Sequence, residues 1–260
     1  MTQNVLEVIG VTKAFGGLKA LDDINLSVKR GTVHSIVGPN GSGKTTLFNV
    51  ITGFSQPTAG KVIFKAIDLK GKKPSSITAM GMARTFQNVL LFRQMTALEN
   101  VMVARHTKLR AKPYNAVIRP KWVMEEEELN RARCTELLEL CGLGARAKEL
   151  ARNLPYGEQK RLEIARALAT EPELLLLDEP AAGTPAGEID GLLELIQKIK
   201  ALGITVLLIE HKMDMVMAVS DTVSVLSFGH KIAEGTPAEV SSNPEVIEAY
   251  LGRKWLDAET

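Results

Sequence analysis

The sequence predicts an α/β fold: a three-layer core with a mainly parallel sheet, joined by an antiparallel β region near the N-terminus and a helical subdomain. Three observations predict it. A glycine-rich loop at 38–45 lies between a strand-like and a helix-like run. Two short runs, 174–177 and 205–209, are almost wholly apolar, as expected of parallel strands covered on both faces. Between these features lies a long helix-rich stretch with little strand character.

Along the chain, the runs 6–11 and 24–28 read as strands flanking the Gly16 and Gly17 turn. Residues 33–37 are mostly apolar and form the strand before the loop; 44–50 lack breakers and form the helix after it. Gly53 and Pro57 interrupt the chain, and 61–65 read as another strand, so these pieces are expected to make a small antiparallel sheet leaning on the core. Helical segments at 96–109 and 125–141, separated by Pro113 and Pro120, define a helical subdomain over about 91–154. Residues 1–90 and 155–260 are left to the α/β core with its antiparallel sheet. Glu125 to Glu128 are expected in a solvated first helical turn, where acids suit the dipole. Downstream, 159–169 is an amphipathic helix, 189–202 a further helix and 222–228 a strand, with short helices near Ala238 and Val246.

Composition excludes several classes. The 260 residues carry a net charge of +2 and 45% hydrophobic side chains, ordinary for a globular chain and no argument for nucleic-acid binding. No apolar run approaches the roughly 18 residues of a membrane span, and the N-terminus lacks a signal-peptide pattern. The expectation is a cytoplasmic protein whose membrane role comes through a partner. Cys134 and Cys141, seven apart, are expected as reduced, half-buried residues on one helix face. Met213, Met215 and Met217 are expected to serve packing.

Gly38, Pro39, Asn40, Gly41, Ser42, Gly43, Lys44 and Thr45 read G-x-x-x-x-G-K-[ST], a phosphate-binding loop. Its glycines let successive N–H groups point inward at phosphate oxygens, and the following helix start, with Thr46, adds unpaired donors. Lys44 supplies a point charge for the β- and γ-phosphates, and the Thr45 hydroxyl can ligate Mg²⁺. Asp178 ends an apolar strand, where open α/β sheets bind ligands, and is expected to hold Mg²⁺ directly or through water. Glu179 follows and is placed to polarise an attacking water. The turn Leu154, Pro155, Tyr156, Gly157, Glu158, Gln159 opens the amphipathic helix and offers backbone donors to an anion.

Together these motifs resemble the ATP-binding cassette (ABC) ATPase family over essentially the whole chain. The resemblance implies a P-loop ATPase core and adds roles that the residues alone do not give. Phe15 is implied to stack on adenine. Gln87, within Arg84, Thr85, Phe86, Gln87 and Asn88, matches the loop that senses Mg²⁺ and contacts the transmembrane partner. Tyr156, Gly157 and Glu158 match the signature loop, and His211 the switch histidine on the γ-phosphate. Val89 to Phe92 would border the groove for a cytoplasmic helix of the membrane subunit. The implied mechanism pairs two cassettes, identical or homologous, head to tail around ATP. Integral membrane permease subunits and, indirectly, a solute-binding protein complete the assembly.

Within the family the wording is similar to ATP-binding subunits of bacterial branched-chain amino acid importers, notably at 38–53, 83–88, 161–168, 178–183 and 243–252. The open alternatives are another ABC transporter (for urea, another small solute or lipid-linked export), a soluble ABC protein, and a P-loop kinase or GTPase. Two departures stand out. Pro155 and Tyr156 replace the Ser and Gly of the general signature, and Thr184 with Pro185 and Ala186 replaces the usual polar interface loop.

Overall fold

The computed structural model describes residues 4–109 and 120–256. Pro113, one of the two expected helix separators, lies outside them.

Strands β1 (Asn4–Phe15) and β2 (Leu18–Lys29) form a long antiparallel hairpin that pairs Phe15 with Leu18. With β4 (Ala59–Phe64) and β5 (Ile67–Asp68) they make a four-stranded sheet in the order β2-β1-β4-β5. Both hairpin strands run longer than their apolar cores suggested. Register shifts between Val8 and Val11 and between Val11 and Lys13 interrupt the two-residue alternation, so the pattern that marks a strand is broken inside a real one.

The second sheet has six strands in the order β10-β9-β3-β8-β7-β6. They are β3 (Val33–Val37), β6 (Met82–Arg84), β7 (Leu174–Asp178), β8 (Thr205–Ile209), β9 (Thr222–Ser227) and β10 (His230–Gly235). All pairings are parallel except that of β9 with β10. Alternate residues of the central strands enter opposite layers. Leu174, Leu176, Leu207 and Ile209 pack with Leu47, Phe48 and Ile51 of helix α1 (Lys44–Ile51) and with Leu6, Val8 and Leu26 of the antiparallel sheet. Leu175, Leu177, Val206 and Leu208 face the other way, onto Leu162 and Ala165 of one helix and Leu195 and Ile199 of another. Burial on both faces is why these strands carry no polar alternation.

Chain order supplies the remaining helices: α2 (Pro74–Ala79), α3 (Ala97–Arg105), α4 (Lys121–Leu140), α5 (Tyr156–Leu168), α6 (Ala186–Ala201), α7 (Met213–Val219), α8 (Pro237–Ser241) and α9 (Pro244–Leu256). Thr96 and Glu99 form a reciprocal capping box that starts α3, and a 3₁₀ turn at His106–Lys108 ends that segment.

Two expectations need correction. Helix α4 begins at Lys121, directly after Pro120, so the Glu125 to Glu128 run sits beyond its first turn. Val123 is the reason: it is buried at 1% exposure and anchors a turn upstream of the acids. Cys134 and Cys141 are fully buried rather than half-buried, and burial pushes the Cys141 thiol up to about 12. Met215 is buried while Met217 is partly exposed, so the three methionines do not share one environment. Among the described residues no helix is long and apolar enough to cross a membrane.

Candidate nucleotide site

Residues 38–43 connect the end of β3 to the start of α1. Gly38 has φ 150° and Gly43 φ 103°. A Cβ at Gly38 would lie 2.1 Å from the Leu226 carbonyl oxygen, and one at Gly43 would lie 2.6 Å from that of Ala20. Both positions therefore demand glycine on space as well as on backbone angle. The loop is wedged between β2 and the β9–β10 turn, where Gly229 N–H donates to the Ser42 carbonyl at 3.1 Å. No side chain caps α1, so its first-turn N–H groups are not claimed by a capping side chain.

Lys44 is buried, with its ammonium turned onto its own loop. It donates to the carbonyls of Gly38 (2.7 Å) and Pro39 (2.9 Å) and to Ser42 Oγ at 3.5 Å. Pro39 is half-buried, Asn40 and Gly41 are exposed, Thr45 is exposed and Thr46 half-buried. Phe15, at the end of β1, is 55% exposed with the Lys13 ammonium 4.9 Å from its ring centre.

Asp178 closes β7 and is almost fully buried. Its Oδ2 receives Arg84 Nη2 at 2.8 Å. Glu179 follows in a left-handed conformation (φ 48°), with its N–H donating to the Ile209 carbonyl at 3.0 Å. That turn sends its carboxylate to Gln87, whose Nε2 donates to Glu179 Oε2 at 3.0 Å. The Gln87 carbonyl in turn accepts from Lys160 of α5 at 2.8 Å.

His211 lies just beyond β8 with its side chain half-exposed. Its backbone N–H donates to Glu210 Oε2 at 3.2 Å, while Glu210 Oε1 accepts from the Ala181 N–H at 2.8 Å. Glu210 is wholly buried, which pushes its carboxyl pKa up against the backbone hydrogen bonds from Ala181, His211 and Lys212 that pull it down. One carboxylate thus ties the loop after β7 to the loop after β8.

Tyr156, Gly157 and Glu158 open α5 and contact a different set of residues. The Tyr156 ring lies 2.9 Å from where a Cβ on Gly183 would be, and Glu188 Oε2 occupies the space of a Cβ on Gly157. Arg146 Nε approaches Glu158 Oε2 at 3.4 Å. The start of α5 is thereby keyed to the loop that follows Glu179. Exposed Leu90 and Phe92 lie with Arg166, whose guanidinium sits 5.1 Å from the Phe92 ring centre and donates to the Leu90 carbonyl.

The sequence reading linked Asp178, Glu179 and Gln87, and two of these are in direct contact. It missed Arg84, Asn49, Lys160 and Glu210. Arg84 stood three residues before Gln87 as a lone cation in an otherwise uncharged run, which was its only signal. Glu210, next to His211 at the strand end, carried no signal of its own in the sequence.

A family model described as "ABC transporter" matches residues 21–182, and one described as "Branched-chain amino acid ATP-binding cassette transporter" matches 230–254. The high-affinity branched-chain amino acid transport ATP-binding protein LivG of Salmonella typhimurium is 43% identical over 253 residues, covering 97% of this chain and 99% of its own. A solved ATP-binding cassette of an ABC transporter, in its ADP conformation, superposes with TM-score 0.84 at 38% identity, covering 96% of this chain and 100% of that one. A dimeric cassette in a post-hydrolysis state, bound to ADP and Pi, gives TM-score 0.76 at 28% identity over 89% of this chain and 98% of its own. With the phosphate loop, the acidic pair after β7 and these matches together, the chain belongs to the ATP-binding cassette family of ABC transporter ATPases.

Proposed function

We propose that this chain is the ATP-hydrolysing subunit of an importer that takes up branched-chain or closely similar amino acids. It would work as one half of a cassette pair, identical or homologous, beneath integral membrane permease subunits on the cytoplasmic face, fed indirectly by a solute-binding protein. No nucleic acid takes part. The observation that carries the catalytic reading is the 3.0 Å bond between Gln87 and Glu179 beside buried Asp178. It brings the residue that would receive the attacking water's proton into direct contact with the residue that would report a filled site.

In this reading Phe15 stacks on adenine, and Gly38, Asn40, Gly41, Ser42, Gly43, Thr45 and Thr46 hold the phosphates through backbone and hydroxyl donors, while Pro39, which has no N–H to give, shapes the loop around them. Lys44 exchanges its carbonyl partners for β- and γ-phosphate oxygens. Asp178, Thr45 and Gln87 offer hard oxygen donors that suit Mg²⁺. Among the described residues no cluster of three or more His, Cys, Asp or Glu forms a self-sufficient metal site, which suits an ion completed by phosphate and water. When bound, Mg²⁺ supplies charge neutralisation on the β- and γ-phosphates. Glu179 accepts a proton from water, and His211 donates a hydrogen bond to the γ-phosphate. Tyr156, Gly157 and Glu158 cap the nucleotide of the second cassette with a helix N-terminus.

Two measurements test this. Glu179→Gln protein with ATP is expected to elute as a dimer, alone or with its permease subunits; a monomer under both conditions overturns the paired-cassette reading. Membrane vesicles holding the whole complex are expected to show ATP-dependent leucine uptake. ATP-driven transport of another solute with no branched-chain uptake would reassign the cargo.

A further inference from the structure

We propose that Arg84 is a positioning residue for Asp178, holding one carboxylate oxygen so that the other faces the Mg²⁺ of bound Mg²⁺-ATP; this rests on the nucleotide reading above. Strand β6 lies at the sheet edge, parallel to β7, with Arg84 in register with Leu176. Asp178 is two residues beyond Leu176, so Arg84 and Asp178 lie toward the same sheet face. The two side chains are 7% and 4% exposed, and Arg84 Nη2 meets Asp178 Oδ2 at 2.8 Å.

Arg84 is itself held from several sides. Its Nη1 donates to Asn49 Oδ1 at 2.7 Å and to Thr52 Oγ1 at 3.2 Å, both from α1 or its C-cap. Three aromatic rings surround the guanidinium: Phe48 at 5.5 Å, Phe54 at 5.9 Å and Phe86 at 5.2 Å from its carbon. Phe54 and Phe86 also meet edge-to-face at 5.7 Å. The planar, delocalised cation suits such a cage better than an ammonium would.

The consequence is geometric. The cage joins the helix that follows the phosphate loop, the end of β7, and Phe86, next to Gln87. Arg84 bonds Oδ2 of Asp178, which leaves Oδ1 for the ion the site would hold. Partners that orient a metal-binding carboxylate govern metal affinity while leaving other ligand contacts alone. A group serving packing alone would change stability without distinguishing ATP from Mg²⁺-ATP.

The test compares wild type with Arg84→Met, Arg84→Lys and Asn49→Ala. Each is titrated with ATP in EDTA and in Mg²⁺, using a fluorescent ATP analogue, and melting temperatures are recorded alongside. For Arg84→Met the affinity in EDTA is expected to stay near wild type, while the gain brought by Mg²⁺ falls by about tenfold or more. Arg84→Lys and Asn49→Ala are expected to lose part of that gain, in the same direction. An unchanged Mg²⁺ gain, or equal losses in EDTA and Mg²⁺, overturns the proposal. Should Arg84→Met fail to fold, the other two variants decide: a lower melting temperature with an intact Mg²⁺ gain overturns it. Wild-type protein that does not bind ATP at all would instead overturn the nucleotide reading on which the proposal stands.

Discussion

Gln87 Nε2 and Glu179 Oε2 are joined at 3.0 Å across residues 92 apart in sequence. Because the Gln87 carbonyl is also held by Lys160 of α5, the same residue touches the Glu179 carboxylate with its side chain and α5 with its backbone. The carboxylate of Glu179 and the placement of α5 therefore share one residue. Glu179→Gln keeps the shape and hydrogen-bonding capacity of this contact but removes the base. Phosphate release is expected to fall by about 10²–10⁴-fold while ATP still binds. A variant that hydrolyses ATP at the wild-type rate, measured by phosphate release alongside nucleotide titration, would remove Glu179 from the chemistry.

The phosphate loop separates two kinds of failure. Lys44→Ala deletes an ammonium that holds the carbonyls of Gly38 and Pro39, and those oxygens can turn to water. The fold is expected to survive with ATP hydrolysis lost. Gly38→Ala differs, because its new methyl meets the Leu226 carbonyl oxygen at 2.1 Å, a backbone atom that cannot swing aside. Overpacking of this kind costs about 1–3 kcal/mol or more. Gly38→Ala should thus lose nucleotide binding together with a lower denaturant midpoint, whereas Lys44→Ala should lose function alone. Circular dichroism in a urea series, paired with ATP titration, distinguishes them.

Glu210 links the two strand-end loops that carry Glu179 and His211. Glu210→Ala strands the N–H of buried Ala181 without its carboxylate acceptor and frees the backbone of His211. The expected loss is about 1–3 kcal/mol, the usual cost of an orphaned buried donor. ATPase activity should fall further than stability alone explains, since His211 loses its anchored backbone. Activity measured well below the melting transition checks this; unchanged turnover would show that Glu210 serves the fold only.

How much of this was legible follows from where the information lies. Strands β7 and β8 could be read because both faces are buried and every residue is apolar or nearly so. The glycine loop could be read because phosphate binding needs a fixed local spacing. Strand β6 could not: it is three residues long and carries Arg84, so no alternation survives. Arg84's surroundings come from Phe48, Phe54, Phe86, Asn49 and Asp178, which only the folded sheet brings together. Helix α7 was hidden because a seven-residue methionine-rich segment has too few turns to establish a period.

Acid stability is expected to depend on a buried histidine outside the nucleotide site. His34, in β3, is 1% exposed, with its Nε2 2.9 Å from Ser224 Oγ, which in turn donates to Glu234 Oε2 at 2.9 Å. Burial lowers its pKa from 6.5 to about 4, with Glu234 pulling it up and Lys231 pushing it down. The unfolded chain therefore binds a proton near pH 6.5 that the folded chain refuses until about pH 4. Stability from this source is complete above pH 6.5 and is lost as pH falls toward 4, by on the order of 2–3 kcal/mol. Replacing the imidazole with a group that does not titrate, as in His34→Gln, should flatten the stability-versus-pH curve between those limits, even if it lowers stability at neutral pH. Urea unfolding of both proteins at half-unit pH steps measures the slopes, and parallel curves would show that His34 does not supply the acid dependence.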